Sequence, residues 1–199
     1  MIRKISVAWV LVLAVLASGC ASPQDNDSIW YIDVAAPEHY DVWGVEMFLE
    51  KTGERSWRQP VGYVGCCWEG PNGPTGSGSR VDPFPELIWI RWFSFAEQKY
   101  YVKLIEVPPN LLERMRKPAP YATQVDMRSG PRDTMVIGLA PGGTVVVWIL
   151  NQIGNEIEVM RMKATEVPGD PDDFEVGTRN YLEKHGDYLQ EHGVPKEGW

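Results

Sequence analysis

Apolar runs along the chain predict a body made mostly of β-strands. Short segments rich in Val, Ile, Trp and Tyr alternate with turn-forming residues, as in strands that bury one or both faces. The predicted strands are 29–34, 42–50, 87–95, 99–107, 135–140, 144–150 and 156–167. Pro-Gly-Gly at 141–143 predicts a hairpin, because proline fixes φ and glycine accepts positive φ. The last three strands should then form an antiparallel meander.

Two segments have helical patterning. Residues 110–117 place three apolar side chains on one stripe before two prolines, which predicts a short helix. Residues 178–192 contain YLEKHG and YLQEHG seven positions apart, so Tyr181 and Tyr188 share a helix face, although Gly186 weakens a continuous helix. We therefore predict a mainly β fold, an antiparallel sheet or sandwich with one short helix after the central strands and a C-terminal helical segment.

The first twenty residues have the order of a secretory signal peptide. Arg3 and Lys4 precede a run of 13 almost wholly apolar residues, and small residues then lead directly into Cys20. This run is shorter than the roughly 20 residues that a membrane-spanning helix needs. The segment resembles a bacterial lipoprotein signal, in which the cysteine becomes the first mature residue and carries lipid. The alternative is a secreted protein that is cut after Gly19.

The lipoprotein resemblance implies a division of the chain and a location. Residues 1–19 would be the signal peptide, 20–28 the lipidated cysteine and tether, and 29–199 a single β-rich periplasmic domain with a C-terminal helical tail. Ala21, rather than Asp, follows the cysteine, which by the same resemblance implies sorting to the outer membrane. The lipid on Cys20 would then anchor the domain to the periplasmic face of that membrane.

The charge of the chain narrows the class of partner. The formal net charge of −8 becomes −10 once Arg3 and Lys4 leave with the signal. Phosphate contacts need clustered basic side chains, so we expect no nucleic-acid binding. An acidic surface suits a basic protein partner, and the simpler alternative is that the charge only confers solubility.

No catalytic motif is present in the sequence. A nucleophile elbow, a Walker loop, a zinc-protease motif and a dinucleotide fingerprint are all missing, so we expect no catalytic residue and no cofactor. His185 and His192 could share a helix face with Glu183 or Glu191, but we favour solvated surface histidines over a metal site. His39 lies in a predicted turn, where we also expect solvation.

Cys66 and Cys67 are the most reactive residues of the mature chain. Adjacent Cα atoms lie about 3.8 Å apart, closer than ordinary disulfide geometry requires, so a vicinal disulfide would be strained and labile. Two thiols, one of them buried, are the favoured alternative. They lie in residues 65–79, whose five glycines and two prolines argue against regular structure.

Two motifs carry a family resemblance. They are GLAPGGTVVVW at 138–148 and WFS at 92–94 followed by Glu97, Lys99, Tyr100 and Tyr101. With the lipoprotein signal and the Cys-Cys-Trp motif, they resemble a family of uncharacterised Gram-negative lipoproteins, the domain of unknown function 2931. The resemblance covers roughly residues 28–168, leaves the C-terminal segment outside, and implies no reaction.

These observations favour a non-enzymatic, outer-membrane-anchored domain that binds a protein in the periplasm. One concrete form is an immunity protein that neutralises an antibacterial toxin, because blocking an enzyme needs surface complementarity and no active site. The alternative is an envelope scaffold or assembly lipoprotein. A third class, an envelope hydrolase, would need two carboxylates about 5 to 10 Å apart in a pocket.

Overall fold

The computed structural model describes residues 29–65, 68 and 76–199, and it confirms the mainly β fold. The predicted signal peptide, Cys20, Cys66 and Cys67 lie outside the described residues. The strands are β1 (Trp30–Ala35), β2 (Val42–Lys51), β3 (Arg55–Arg58), β4 (Gly62–Val64), β5 (Ser77–Val81), β6 (Leu87–Ser94), β7 (Lys99–Glu106), β8 (Ala119–Ala122), β9 (Met127–Gly130), β10 (Thr134–Ala140), β11 (Thr144–Leu150), β12 (Ile157–Lys163) and β13 (Thr165–Val167). The helices are α1 (Leu111–Arg116) and α2 (Glu175–His192).

The strands form two large sheets and one small hairpin. The first sheet has the order β12-β11-β10-β1-β5, and the second has the order β13-β7-β6-β2-β3, with β4 also paired to β2. The predicted meander is confirmed as β10-β11-β12, and β8 pairs with β9 in the separate hairpin. The parallel pairing of β1 with β10 is the one departure from antiparallel order in the described ladders.

The two large sheets share one apolar core. Buried residues of the first sheet, such as Ile32 and Val147, belong to the same cluster as Met47 and Ile90 of the second sheet. Every residue of β11 is buried. This two-sided burial explains why its sequence is a continuous apolar run rather than an alternating one.

The structure corrects two of the predicted boundaries. Residues 156–167 are not a single strand, because β12 ends the first sheet and β13 pairs with β7 in the second. Residues 77–81 belong to a strand although their neighbourhood is rich in glycine. Gly78 explains this difference, since a Cβ at this position would collide with the Ile32 carbonyl oxygen of β1, and glycine alone permits that close approach.

Both predicted helices are confirmed. Helix α2 starts three residues earlier than predicted and runs through Gly186 without a break until Gly193, whose φ is +72°. Its buried residues are Thr178, Tyr181 and His185, at the spacing of one helical face. Neither of the two helices in the described part of the chain is long and apolar enough to cross a membrane.

Candidate functional site

Polar side chains converge at the turn between β1 and β2. The Tyr40 amide donates to the Pro37 carbonyl at 3.0 Å, and His39 adopts a φ of +66°. That left-handed conformation is uncommon for a residue with a Cβ. This conformation of His39 is part of the turn that places its ring against α2. The turn therefore sets the geometry of the site.

The His39 ring meets His185 of α2. The two Nδ1 atoms are 3.2 Å apart, and the ring centroids are 5.3 Å apart. His185 is only 7% exposed. The prediction of a solvated surface histidine was therefore wrong for His185, whereas His39 lies in the predicted turn and keeps 29% of its side chain exposed. His192, in contrast, is exposed and stacks on Tyr188 with the centroids 4.1 Å apart.

Asp41 lies next to His185, on its Nε2 side, and is fully buried. Its Oδ2 accepts a hydrogen bond from the Tyr63 hydroxyl of β4 and lies 3.4 Å from His185 Nε2. Its Oδ1 has no hydrogen-bond partner among the described residues. Burial is the main cause that raises the pKa of Tyr63 above its usual range, and the Asp41 carboxylate adds to the effect. The Tyr63 hydroxyl therefore stays protonated and remains a donor. Burial lowers the pKa of His185, and the nearby Asp41 carboxylate partly opposes that effect.

Three tyrosines fix α2 against the turn. The Tyr181 hydroxyl donates to the His39 carbonyl at 2.6 Å, and the Tyr188 ring stacks on the His39 ring with the centroids 3.8 Å apart. The Tyr40 hydroxyl donates to the Gly193 carbonyl at the end of the helix, at 3.1 Å. The shared helix face that the seven-residue repeat predicted for Tyr181 and Tyr188 thus becomes the docking face of α2.

A groove of about 630 Å³ opens beside this cluster, between the first half of α2 and the second sheet. We call it the aromatic groove. Its aromatic residues are Trp43, Tyr63, Phe95, Phe174 and Tyr181, and its charged residues are Asp172, Asp173, Glu175 and Lys184. Tyr63 and Tyr181 also contact the Asp41–His39 cluster, so the groove and the cluster share two side chains.

An acidic loop with Asp170, Asp172, Asp173 and Glu175 contributes three of its carboxylates to this groove. Asp170 accepts a hydrogen bond from the Asp172 amide at 3.0 Å and so starts the short 3-10 turn Pro171–Phe174 that leads into α2. This turn carries Asp172 and Asp173 to the rim and inserts Phe174 against Phe93, with the ring centroids 4.9 Å apart. Asp170, Asp172 and Asp173 remain exposed, so the loop is solvated and also forms the rim of the groove.

The rest of the candidate chemistry is sparse. No three His, Cys, Asp or Glu side chains come together as a metal-binding group in residues 29–65, 68 and 76–199. The sequence analysis missed the Asp41–His185–His39 cluster, because its histidines lie 146 residues apart. A usable signal was the position of Asp41, a charged residue directly before a strongly apolar strand.

Comparison with known proteins assigns a family and no more. No curated protein and no solved structure matches the chain. The sequence profile described as "Protein of unknown function (DUF2931)" matches residues 20–197, so the match includes the C-terminal helix that the motif resemblance left outside. The chain belongs to this family of proteins of unknown function.

Proposed function

We propose that the protein is a non-enzymatic, lipid-anchored module at the periplasmic face of the outer membrane that binds a basic protein through the aromatic groove. The observation that carries the proposal is the composition of this groove. It combines exposed aromatic surface with a rim of three carboxylates, on a chain whose net charge is −8.

The groove offers two attractions to an Arg or Lys side chain of a partner. Trp43 and Tyr63 are 38% and 48% exposed, and their rings can accept a cation over the face. Asp172, Asp173 and Glu175 add the opposite charge at the rim. Aromatic residues dominate binding hot spots, and complementary charge speeds association and selects the partner.

Immunity against an antibacterial toxin is the form of this function that we favour. A toxin that acts on nucleic acid or on an anionic membrane carries basic residues, and an acidic groove can cover them. Inhibition by coverage requires no catalytic group in the inhibitor. A permanent partner in the envelope is the second form of the same function, and the two forms differ in when the partner is bound.

A photo-crosslinking amino acid placed in the groove tests the proposal in living cells. With the crosslinker in place of Trp43, we expect one protein partner, and with it in place of Val125, which is 85% exposed on the β8–β9 hairpin, we expect none. A partner that appears only during attack by competing bacteria supports immunity, and a constant partner supports a scaffold. Equal crosslinking from both positions would refute the groove as the binding surface.

A charge-reversal pair tests the electrostatic part. Glu175→Lys changes the groove rim, and Glu113→Lys is the matched control, because each glutamate lies in the first turn of a helix. The affinity for the partner should fall about tenfold or more in Glu175→Lys, which corresponds to 1.4 kcal/mol of binding free energy, so crosslinking from position 43 at sub-saturating partner should fall in Glu175→Lys and persist in Glu113→Lys. Equal loss in the two variants would point to a general charge effect instead of a specific groove.

A further inference from the structure

Each imidazole of the His39–His185 pair has a carboxylate at its other ring nitrogen. The two Nδ1 atoms face each other at 3.2 Å. His185 Nε2 lies 3.4 Å from the Asp41 carboxylate, and His39 Nε2 lies 3.6 Å from the Glu38 carboxylate. The result is a chain of four side chains, Glu38–His39–His185–Asp41, with three gaps between polar atoms.

Two neutral imidazoles cannot place a hydrogen atom in all three of these gaps. A neutral imidazole has one N–H, so two neutral rings supply two N–H groups to three gaps. If both N–H groups point to the carboxylates, the two Nδ1 lone pairs face each other and repel. If one N–H occupies the central gap, a ring lone pair faces a carboxylate. Either one additional proton on the pair or one cation between the Nδ1 atoms removes this conflict.

The distances suit a metal ion in that central position. Zinc–imidazole bonds are about 2.0–2.1 Å, so two ligand nitrogens of a tetrahedral ion lie about 3.3 Å apart. The observed Nδ1–Nδ1 separation is 3.2 Å. Histidines that bind metals almost always donate the other ring N–H to a carboxylate, a carbonyl or water, which fixes the tautomer. The Asp41 carboxylate lies in that position for His185, 3.4 Å from an Nε2 that makes no hydrogen bond with the described residues. Glu38, 3.6 Å from His39 Nε2, is beyond direct hydrogen-bond distance, and the His39 ring is open to water on that side.

The backbone and the exposure of the pair support a binding role. His39 holds a φ of +66°, a conformation that non-glycine residues adopt mainly where the surrounding structure enforces it and that is frequent at functional sites. The Tyr181 hydroxyl donates a hydrogen bond to the His39 carbonyl in this conformation. The His39 side chain is 29% exposed and the His185 side chain 8%, so an ion can enter from the His39 side.

We propose that His39 and His185 bind a divalent transition-metal ion of the zinc class through their Nδ1 atoms. Imidazole nitrogen suits zinc, copper and nickel, and a hard cation such as Mg²⁺ prefers oxygen ligands. Two protein ligands leave the other coordination positions open to solvent or to an exogenous ligand. The site uses no residue that the sequence analysis offered as a metal set except His185, and the proposal does not rest on the proposed binding of a protein.

Calorimetric titration of Zn²⁺ into the full chain in detergent tests the site. The chain should carry Cys20→Ser, Cys66→Ser and Cys67→Ser, because free thiolates also bind zinc. We expect one Zn²⁺ per chain. His39→Asn should weaken binding more than about tenfold while preserving the turn, since Asn tolerates the left-handed conformation. Asp41→Asn should weaken it about 10- to 100-fold as a loss of the carboxylate that orients His185.

His192→Asn is the matched control, because this histidine lies on the same helix outside the pair, and Zn²⁺ affinity should not change. Nitrogen-15 NMR of histidine-labelled protein gives a second readout that does not depend on variant stability. Zn²⁺ should move the Nδ1 signals of His39 and His185. The proposal is overturned if these signals respond only to acid, which would show a shared proton, or if His192→Asn loses as much affinity as His39→Asn.

Discussion

Replacement of Tyr181 separates the contribution of its hydroxyl from that of its ring in the docking of α2. The side chain is 3% exposed, its hydroxyl donates to the His39 carbonyl at 2.6 Å, and its ring stacks on Phe95 with the centroids 5.5 Å apart. Tyr181→Phe removes one hydrogen bond and keeps the stacked ring. We expect a loss of about 1 kcal/mol in the free energy of unfolding, the usual net value of such a bond.

Tyr181→Ala removes the ring as well. Truncation of a large buried aromatic side chain costs about 3–5 kcal/mol, so the ring should account for most of the loss. For a chain of this size, 1 kcal/mol shifts the melting temperature by about 2–4 °C, which makes the two variants easy to distinguish.

Urea unfolding of the full chain in detergent, followed by tryptophan fluorescence, measures both variants. Tyr31→Phe, on β1 and 37% exposed, is the control and should change stability by less than about 0.5 kcal/mol. A loss below about 1 kcal/mol for Tyr181→Ala would contradict the packing of α2 on the body. Equal losses for the Phe and Ala variants would show that the ring contributes nothing.

Three further substitutions should change the stability of the fold, two of them by raising it and one by lowering it. Gly186→Ala should stabilise by about 0.5–1 kcal/mol in urea unfolding, because the added Cβ meets open space in the middle of a helix. Gly138→Ala should destabilise by about 1–3 kcal/mol in the same assay, because its Cβ would lie 2.5 Å from the Trp148 ring. Burial and then the charge of Asp133 raise the pKa of Asp33, so ionisation of Asp33 opposes folding once pH exceeds its ordinary pKa. Asp33→Asn should therefore raise the melting temperature at neutral pH, and this gain should vanish at pH below about 4.

Local signals explain which parts of the fold the sequence predicts. The β10–β11 hairpin depends on Gly142 and Gly143, whose φ values of +70° and +68° are those that the Pro-Gly-Gly motif suggests. The continuous apolar run of β11 follows from burial on both faces. The parallel pairing of β1 with β10 could not be predicted, because it joins segments about 100 residues apart that carry no local mark of their partner.

The candidate site, too, is predictable from the sequence only where the signal is local. The repeat correctly predicts that Tyr181 and Tyr188 share a face, since helical periodicity is local. The repeat does not distinguish His185 from His192, whereas the fold buries His185 and exposes His192. Only the turn at His39, with its positive φ, distinguishes them by providing a partner for His185.

The aromatic groove and the histidine pair share two residues, which predicts that the proposed binding events at the two sites are coupled. Tyr63 lines the groove and donates to Asp41, and Tyr181 lines the groove and donates to the His39 carbonyl. A protein partner that moves either ring also moves a group that orients the two imidazoles. Because coupling between two binding sites is reciprocal, Zn²⁺ must change the affinity for the partner by the same factor as the partner changes the affinity for Zn²⁺. A factor different from unity would show that the groove and the pair are coupled, and a factor of unity would show that they act separately.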